Sequence, residues 1–209
     1  MIPTIVFDLD GTLITCENKQ KFALFSILNS RHFLNSENIN LWWELKRNGN
    51  TTEKALNLIG VTDSLLIAKE WIRIIEEPFC CSLDTPFIDS LISIQFLRKI
   101  QYNVIILTAR NSRLSVLQSI FRFGFNDHIE DLIIVNPRNS VSEKTNYLKK
   151  IKPILFIGDT ESDFQASLNS NIDFTALSRG QRSTTFLEKT GINHVENNLI
   201  FLLKSDKIS

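Results

Sequence analysis

At 209 residues, with 43% hydrophobic and 22% charged residues, the chain has the make-up of a soluble globular protein long enough to bury a substantial core. Lys plus Arg and Asp plus Glu both number 23, so no basic excess points to a nucleic-acid partner. No apolar run approaches the ~20 residues that a membrane helix requires, which excludes a helical span.

The chain enters an apolar run at once, Thr4 to Asp8, without a basic n-region or a long apolar h-region, and no signal peptide is expected. Ile5-Val6-Phe7 then gives way to Asp8-Leu9-Asp10-Gly11-Thr12. This is how a buried strand looks where it delivers polar groups to a sheet edge. Residues two apart on a strand share a side, so Asp8 and Asp10 face one site while Leu9 turns away. Two carboxylates held so close need a cation, a shared proton, or both.

From Cys16 to Leu83 the pattern is helical: Lys19 to Leu28, Glu37 to Lys46, Thr52 to Leu58 and Asp63 to Glu76, with turn residues at Arg47-Asn48-Gly49-Asn50. Thr51-Thr52 and Thr62-Asp63 offer N-caps for the last two helices. Some sixty-five residues exceed a simple crossover, which needs about a dozen. They read as a helical unit, 16–83, inserted into a core of 1–15 and 84–209. Trp42 and Trp43 either fill that unit's interior or present one ring to a ligand. Lys46 and Arg47 either reach toward the core or form a solvated helix end. Cys16, Cys80 and Cys81 form no Cys-x-x-Cys pair and are expected to stay reduced in a cytoplasm.

Beyond residue 84, apolar runs alternate with helical patterns. Helices are expected at Pro86 to Ile100, Arg113 to Phe123, Glu143 to Lys150 and Ser162 to Asn169, and strands at Asn103 to Thr108, Leu132 to Val135, Ile154 to Gly158 and Phe174 to Leu177. Strands that are continuously apolar rather than alternating suit a parallel sheet covered on both faces, and the βα alternation makes the class α/β. Ligands of open α/β sheets bind at the strands' carboxyl ends. There the chain places Asp8 and Asp10, then Thr108-Ala109-Arg110, then Gly158-Asp159-Thr160-Glu161-Ser162-Asp163. His32, His128 and His194 share no motif and receive no role.

The order Asp-x-Asp-Gly-Thr-Leu, an apolar strand ending in Thr, a Lys, and Gly-Asp-x-x-x-Asp resembles the haloacid dehalogenase superfamily. The likeness is to its phosphatase branch, phosphoglycolate phosphatases among it, and covers essentially the whole chain. It implies a Rossmann-like, doubly wound parallel sheet with the helical insertion as a C1-type cap. It also implies a Mg²⁺-dependent phosphatase acting on a small phosphorylated metabolite, with phosphoglycolate, sugar phosphates and nucleoside monophosphates as candidates. On this resemblance Asp8 is the nucleophile and Asp10 the acid and base. Mg²⁺ is held by the Asp8 carboxylate, the Asp10 carbonyl and Asp159, with Asp163 either a ligand or the holder of a metal-bound water. Thr108 and the Ala109 N–H meet the phosphoryl group, and Lys144, fifteen residues before Asp159, completes the cradle. Gly11, Thr12 and Arg110 complete the substrate-binding set, Arg110 either on an anionic part of the substrate or paired to a nearby acid. Gly158 lets the backbone pass close to Asp8. A phosphomutase, a phosphonate hydrolase or a non-catalytic binding protein could share this scaffold; Asp10 speaks against dehalogenation.

Overall fold

The computed structural model describes residues 2–29 and 36–204. Six strands form one sheet: β1 (Thr4–Phe7), β4 (Asn103–Ala109), β5 (Asp131–Val135), β6 (Leu155–Gly158), β7 (Phe174–Leu177) and β8 (Val195–Glu196), in the order β5-β4-β1-β6-β7-β8 with every pairing parallel. Alternate residues of the central strands feed two separate cores. Ile5, Phe7, Val104 and Ile106 pack on one face; Val6, Ile105, Leu107 and Phe156 pack on the other. Helices α6 (Ser90–Lys99), α7 (Arg113–Arg122) and α11 (Phe201–Lys204) cover the first face, and α8 (Ser140–Ile151), α9 (Glu161–Ser170) and α10 (Thr184–Lys189) cover the second. With both faces buried, apolar residues are favoured at every strand position, and the strands read as continuous runs. The α/β, doubly wound architecture expected from the sequence is what the chain adopts.

Leaving the sheet after β1, the chain forms a two-residue strand, β2 (Ile14–Thr15), that pairs antiparallel with β3 (Thr85–Pro86). Between β2 and β3 lie α1 (Glu17–Asn29), α2 (Ser36–Arg47), α3 (Thr52–Leu58), α4 (Ser64–Ile74) and α5 (Pro78–Ser82). They enclose an apolar core of their own, around Leu24, Leu28, Trp42, Leu56, Ile67 and Trp71. Trp42 and Trp43 both lie within it, and Trp42 meets Trp71 edge-on with ring centroids 5.9 Å apart.

Local chemistry explains where the elements differ from expectation. Pro86 belongs to β3 opposite Ile14 rather than to a helix, and α6 starts four residues later. Helix α5, too short to show a period, starts at a proline, whose missing N–H costs nothing in a first turn. Thr51 caps α3 by accepting from the Lys54 N–H at 3.2 Å. Asp63 precedes α4 in the left-handed region, φ +57°, and makes no side-chain cap bond. Strand β8 and helices α10 and α11 are also too short for a readable period. No helix among the described residues is long and apolar enough to cross a membrane.

Candidate active site

Register brings the motifs together. Phe7 of β1 lies opposite Ile106 on one side and Ile157 on the other, so the next residues, Asp8, Leu107 and Gly158, meet at the sheet's carboxyl edge. The Asp8 N–H donates to the Ile157 carbonyl at 2.8 Å, carrying the ladder one residue past the strand. Leu9 turns into the first-face core, which leaves Asp8 and Asp10 for the site.

Lys144, buried on α8, donates to Asp8 Oδ1 at 2.7 Å and to Asp163 Oδ1 at 2.6 Å. The second oxygen of Asp163 accepts from the Thr160 hydroxyl at 2.7 Å and closes a capping box at the start of α9. Asp159 Oδ2 accepts from the Gln181 N–H at 2.6 Å, whereas Asp159 Oδ1 is buried with no partner among the described residues. Ligand oxygens of Asp8, Asp159 and Asp163 all lie within 4.8 Å of one another. Burial, with Asp163 and Asp10 nearby, pushes the Asp8 carboxyl up to about 7 against the opposing pull of Lys144. Burial beside Asp8 and Asp163 likewise holds Asp159 well above the usual carboxylate range. Burial disfavours the Lys144 charge, but Asp163 and Asp8 outweigh it and keep the ammonium charged. One cation among three carboxylates leaves the site short of positive charge.

Two glycines make room for Asp159. At Gly11, φ +82°, a Cβ would fall 1.8 Å from Asp159 Oδ2; at Gly180 it would fall 2.2 Å from the same oxygen. Gly158 makes room for Asp163. A Cβ there would fall 2.7 Å from the Asp163 side chain.

Asp10 sits in a second charged group. Arg110 grips it through both oxygens, with Nε to Oδ2 at 2.6 Å, and extends Nη2 to Asp84 Oδ2 at 2.7 Å. Lys19, from the first turns of α1, donates to Asp84 at 2.9 Å and to Asp10 at 3.3 Å. Burial works against the Asp10 charge, yet Arg110 and Lys19 together hold its carboxyl well below the usual range. Of the two roles open to Arg110, the structure shows pairing with an acid. Asp84 and Lys19 are not legible as site residues: one stands just before the two-residue strand β3, the other lies on helix α1, and only the return of the insertion beside β2 joins them to Asp10.

Two adjoining cavities occupy this end of the sheet. The smaller, about 230 Å³, is lined by Asp8, Asp10, Thr108, Ala109, Lys144 and Asp163 among others. The larger, about 500 Å³, lies between the core and the inserted helices and shares Asp10, Ala109, Pro137 and Gln181 with the first. Arg110 lines the larger one. Gly11 and Thr12 line neither; Gly11 backs Asp159, and the Thr12 carbonyl accepts from Arg179 at 2.7 Å. Arg47 does reach the core, donating to the Ser178 carbonyl at 2.7 Å, but Lys46 turns inward, 3.9 Å from the Trp71 ring centroid. His128 and His194 line neither cavity, and His32 lies outside the described residues.

The family model for haloacid dehalogenase-like hydrolases matches residues 5–177. The chain belongs to that family. Among solved structures it is similar to a haloacid dehalogenase-like hydrolase from Streptococcus pneumoniae, at 16% identity and a TM-score of 0.75 over 97% of each chain. It is similar also to a predicted phosphatase from Clostridium acetobutylicum, at 15% identity and a TM-score of 0.73 over 98% of each chain. A predicted phosphoglycolate phosphatase from Haemophilus somnus aligns at 17% identity with a TM-score of 0.69 over 97% of each chain. At these identities the likeness is one of fold. No curated protein matches the sequence.

Proposed function

We propose that this haloacid dehalogenase-like hydrolase is a Mg²⁺-dependent phosphatase. It would hydrolyse a small phosphorylated metabolite through an aspartyl phosphate on Asp8, with residues 16–83 as a cap over a core of 1–15 and 84–209. The observation that carries the reading is the convergence of Asp8, Asp159 and Asp163 within 4.8 Å, with Asp159 Oδ1 buried and unpartnered among the described residues.

That donor set suits a hard divalent cation, because every available ligand atom is oxygen and one is orphaned. The Asp8 and Asp159 carboxylates and the Asp10 carbonyl would hold the ion. Asp163, whose oxygens are already engaged by Lys144 and Thr160, would hold a water beside it. When bound, Mg²⁺ supplies the positive charge that keeps Asp8 ionised and screens it from an anionic substrate.

Asp8 attacks phosphorus; its oxygen–phosphorus bond forms as the ester bond breaks. Thr108 and the Ala109 N–H at the end of β4, with Lys144, stabilise the charge growing on the phosphoryl oxygens. Asp10, held ionised by Arg110 and Lys19, is set for the second half of the cycle, in which it takes the proton of the attacking water. The water oxygen bonds to phosphorus as the Asp8 oxygen–phosphorus bond breaks and phosphate leaves; in the first half Asp10 is the proton donor to the leaving oxygen and is ionised by that transfer. The free, buried state of all three cysteines suits a reducing compartment such as the cytoplasm.

Phosphate release from p-nitrophenyl phosphate tests the proposal. Turnover should require Mg²⁺, stop on chelation and fall by at least ~10³-fold in Asp8→Asn, the scale set by loss of a nucleophile. Turnover that persists in that variant would remove Asp8 from the role.

A further inference from the structure

The two cations that grip Asp10 share a second carboxylate, that of Asp84, which lines neither cavity and so has no contact with a bound substrate. Atoms of alternating charge close a ring: Asp10 Oδ1, Lys19 Nζ, Asp84 Oδ2 and Arg110 Nη2. Lys19 lies nearer to Asp84, at 2.9 Å, than to Asp10, at 3.3 Å, and Arg110 reaches Asp84 at 2.7 Å. The Asp84 side chain is wholly buried, whereas that of Asp10 keeps 15% of its surface. The ring therefore has an inner carboxylate and an outer one.

The inner carboxylate stands on an anchored stretch of chain. Arg122, the last residue of α7, donates to the Asp84 carbonyl at 2.7 Å and to the Ser82 carbonyl at 3.0 Å. Stability alone does not call for such a ring, since a well-packed apolar set of the same volume serves as well. Geometry does. With the Asp84 charge gone, Lys19 and Arg110 would both rest on one oxygen of Asp10 and repel each other in surroundings that screen poorly. Lys19, on its flexible four-carbon stem, would swing first, and the Asp10 carboxylate would turn with the loss of its partner. A general acid works only when aligned with the oxygen that receives its proton. The loss would thus fall on proton transfer rather than on attack by Asp8, whose partner is Lys144.

We propose that Asp84 is a positioning residue for Asp10, acting through Lys19 and Arg110 to keep the acid aimed at the leaving oxygen. The proposal rests on the phosphatase reading and adds to it a residue that touches neither substrate nor metal.

The test compares kcat/KM, with Mg²⁺, for p-nitrophenyl phosphate, whose leaving group departs readily without a proton, and for phenyl phosphate, whose poorer leaving group needs one. Asp84→Asn should lower the value for phenyl phosphate by at least tenfold, a fraction of the ~10²–10⁴ that a general acid supplies, and that for p-nitrophenyl phosphate by threefold at most. The ratio between the substrates should move in the same direction in Asp10→Asn, and further. Equal losses on both substrates in Asp84→Asn would make its role merely structural and overturn the proposal. If thermal melts show that this variant does not fold, Arg122→Gln decides: it frees the Asp84 carbonyl from an exposed side chain without removing a charge from the ring. It should move the ratio the same way by at least twofold, and an unmoved ratio would overturn the proposal. Native enzyme that cleaves p-nitrophenyl but not phenyl phosphate, or a ratio that Asp10→Asn leaves unmoved, would remove the acid that Asp84 positions. No turnover of p-nitrophenyl phosphate by the native enzyme would instead overturn the phosphatase reading itself.

Discussion

Lys46 shows how far a single side chain can depart from what its sequence neighbours suggest. Next to Arg47 at a helix end it reads as solvated, yet it is buried, donates to Gln20 Oε1 at 2.9 Å and lies against the Trp42 and Trp71 rings, with no carboxylate partner among the described residues. Burial, aided by Arg182 and only weakly opposed by Cys16, brings its ammonium from 10.5 down to about 7. A shift of that size costs the folded state on the order of 4–5 kcal/mol while the lysine is charged. Against it stand the Gln20 bond and the ring contacts, together worth about 1–3 kcal/mol. The burial cost is the larger, so Lys46→Met should raise Tm near pH 6 by about 2–4 °C for each kcal/mol recovered. Between pH 7 and 10.5 the unfolded chain binds a proton that the folded chain has lost, so raising the pH through that window favours folding and the mutant's advantage should fade. Thermal melts across that range would show it. A gain in the Lys46→Met variant that stays constant across the whole window would place the cost elsewhere.

At the scale of elements, the inserted helices meet the core at a close junction, where the end of α2 rests on the loop between β7 and α10. The Ser183 N–H donates to the Arg47 carbonyl at 2.9 Å, Arg182 reaches the Lys46 carbonyl at 3.3 Å, and Ser183 Oγ donates to Asn48 Oδ1 at 2.8 Å. Gly49 makes this fit: φ is +86°, and a Cβ there would fall 2.0 Å from the Phe186 ring. The same loop carries Gly180 and Gln181 over Asp159, so displacing it disturbs the acidic cluster. Gly49→Ala should therefore cost about 1–3 kcal/mol of stability, as left-handed backbone strain does, and should also raise KM. Chemical denaturation and steady-state kinetics on one preparation check both. Unchanged stability would contradict both the left-handed strain and the fit against Phe186. The turn at Arg47-Asn48-Gly49-Asn50 is readable from residue types alone, whereas its docking on a loop more than 130 residues later is not.

Across the whole molecule, what the sequence reveals depends on whether a feature is local. The strands and their polar ends are legible because burial on both faces makes a strand apolar throughout, and because Asp8, Thr108, Asp159 and Asp163 each sit at or beside an element's end, whereas Lys144 lies in the second turn of α8. The order of strands in the sheet and the Asp84–Lys19 support behind Asp10 come from segments that meet only on folding. Residue types alone misplace Pro86 for the same reason, since it answers to a distant neighbour, Ile14. The central claim, that Asp8 becomes phosphorylated, can be read directly. Substrate carrying ³²P is mixed with the enzyme and Mg²⁺, quenched in acid within a turnover, and the protein is digested and mapped. Label should appear on the peptide containing Asp8, be lost to hydroxylamine as an acyl phosphate is, and be absent in Asp8→Asn. Release of labelled phosphate with no label on the protein, or label on any other residue, would contradict it.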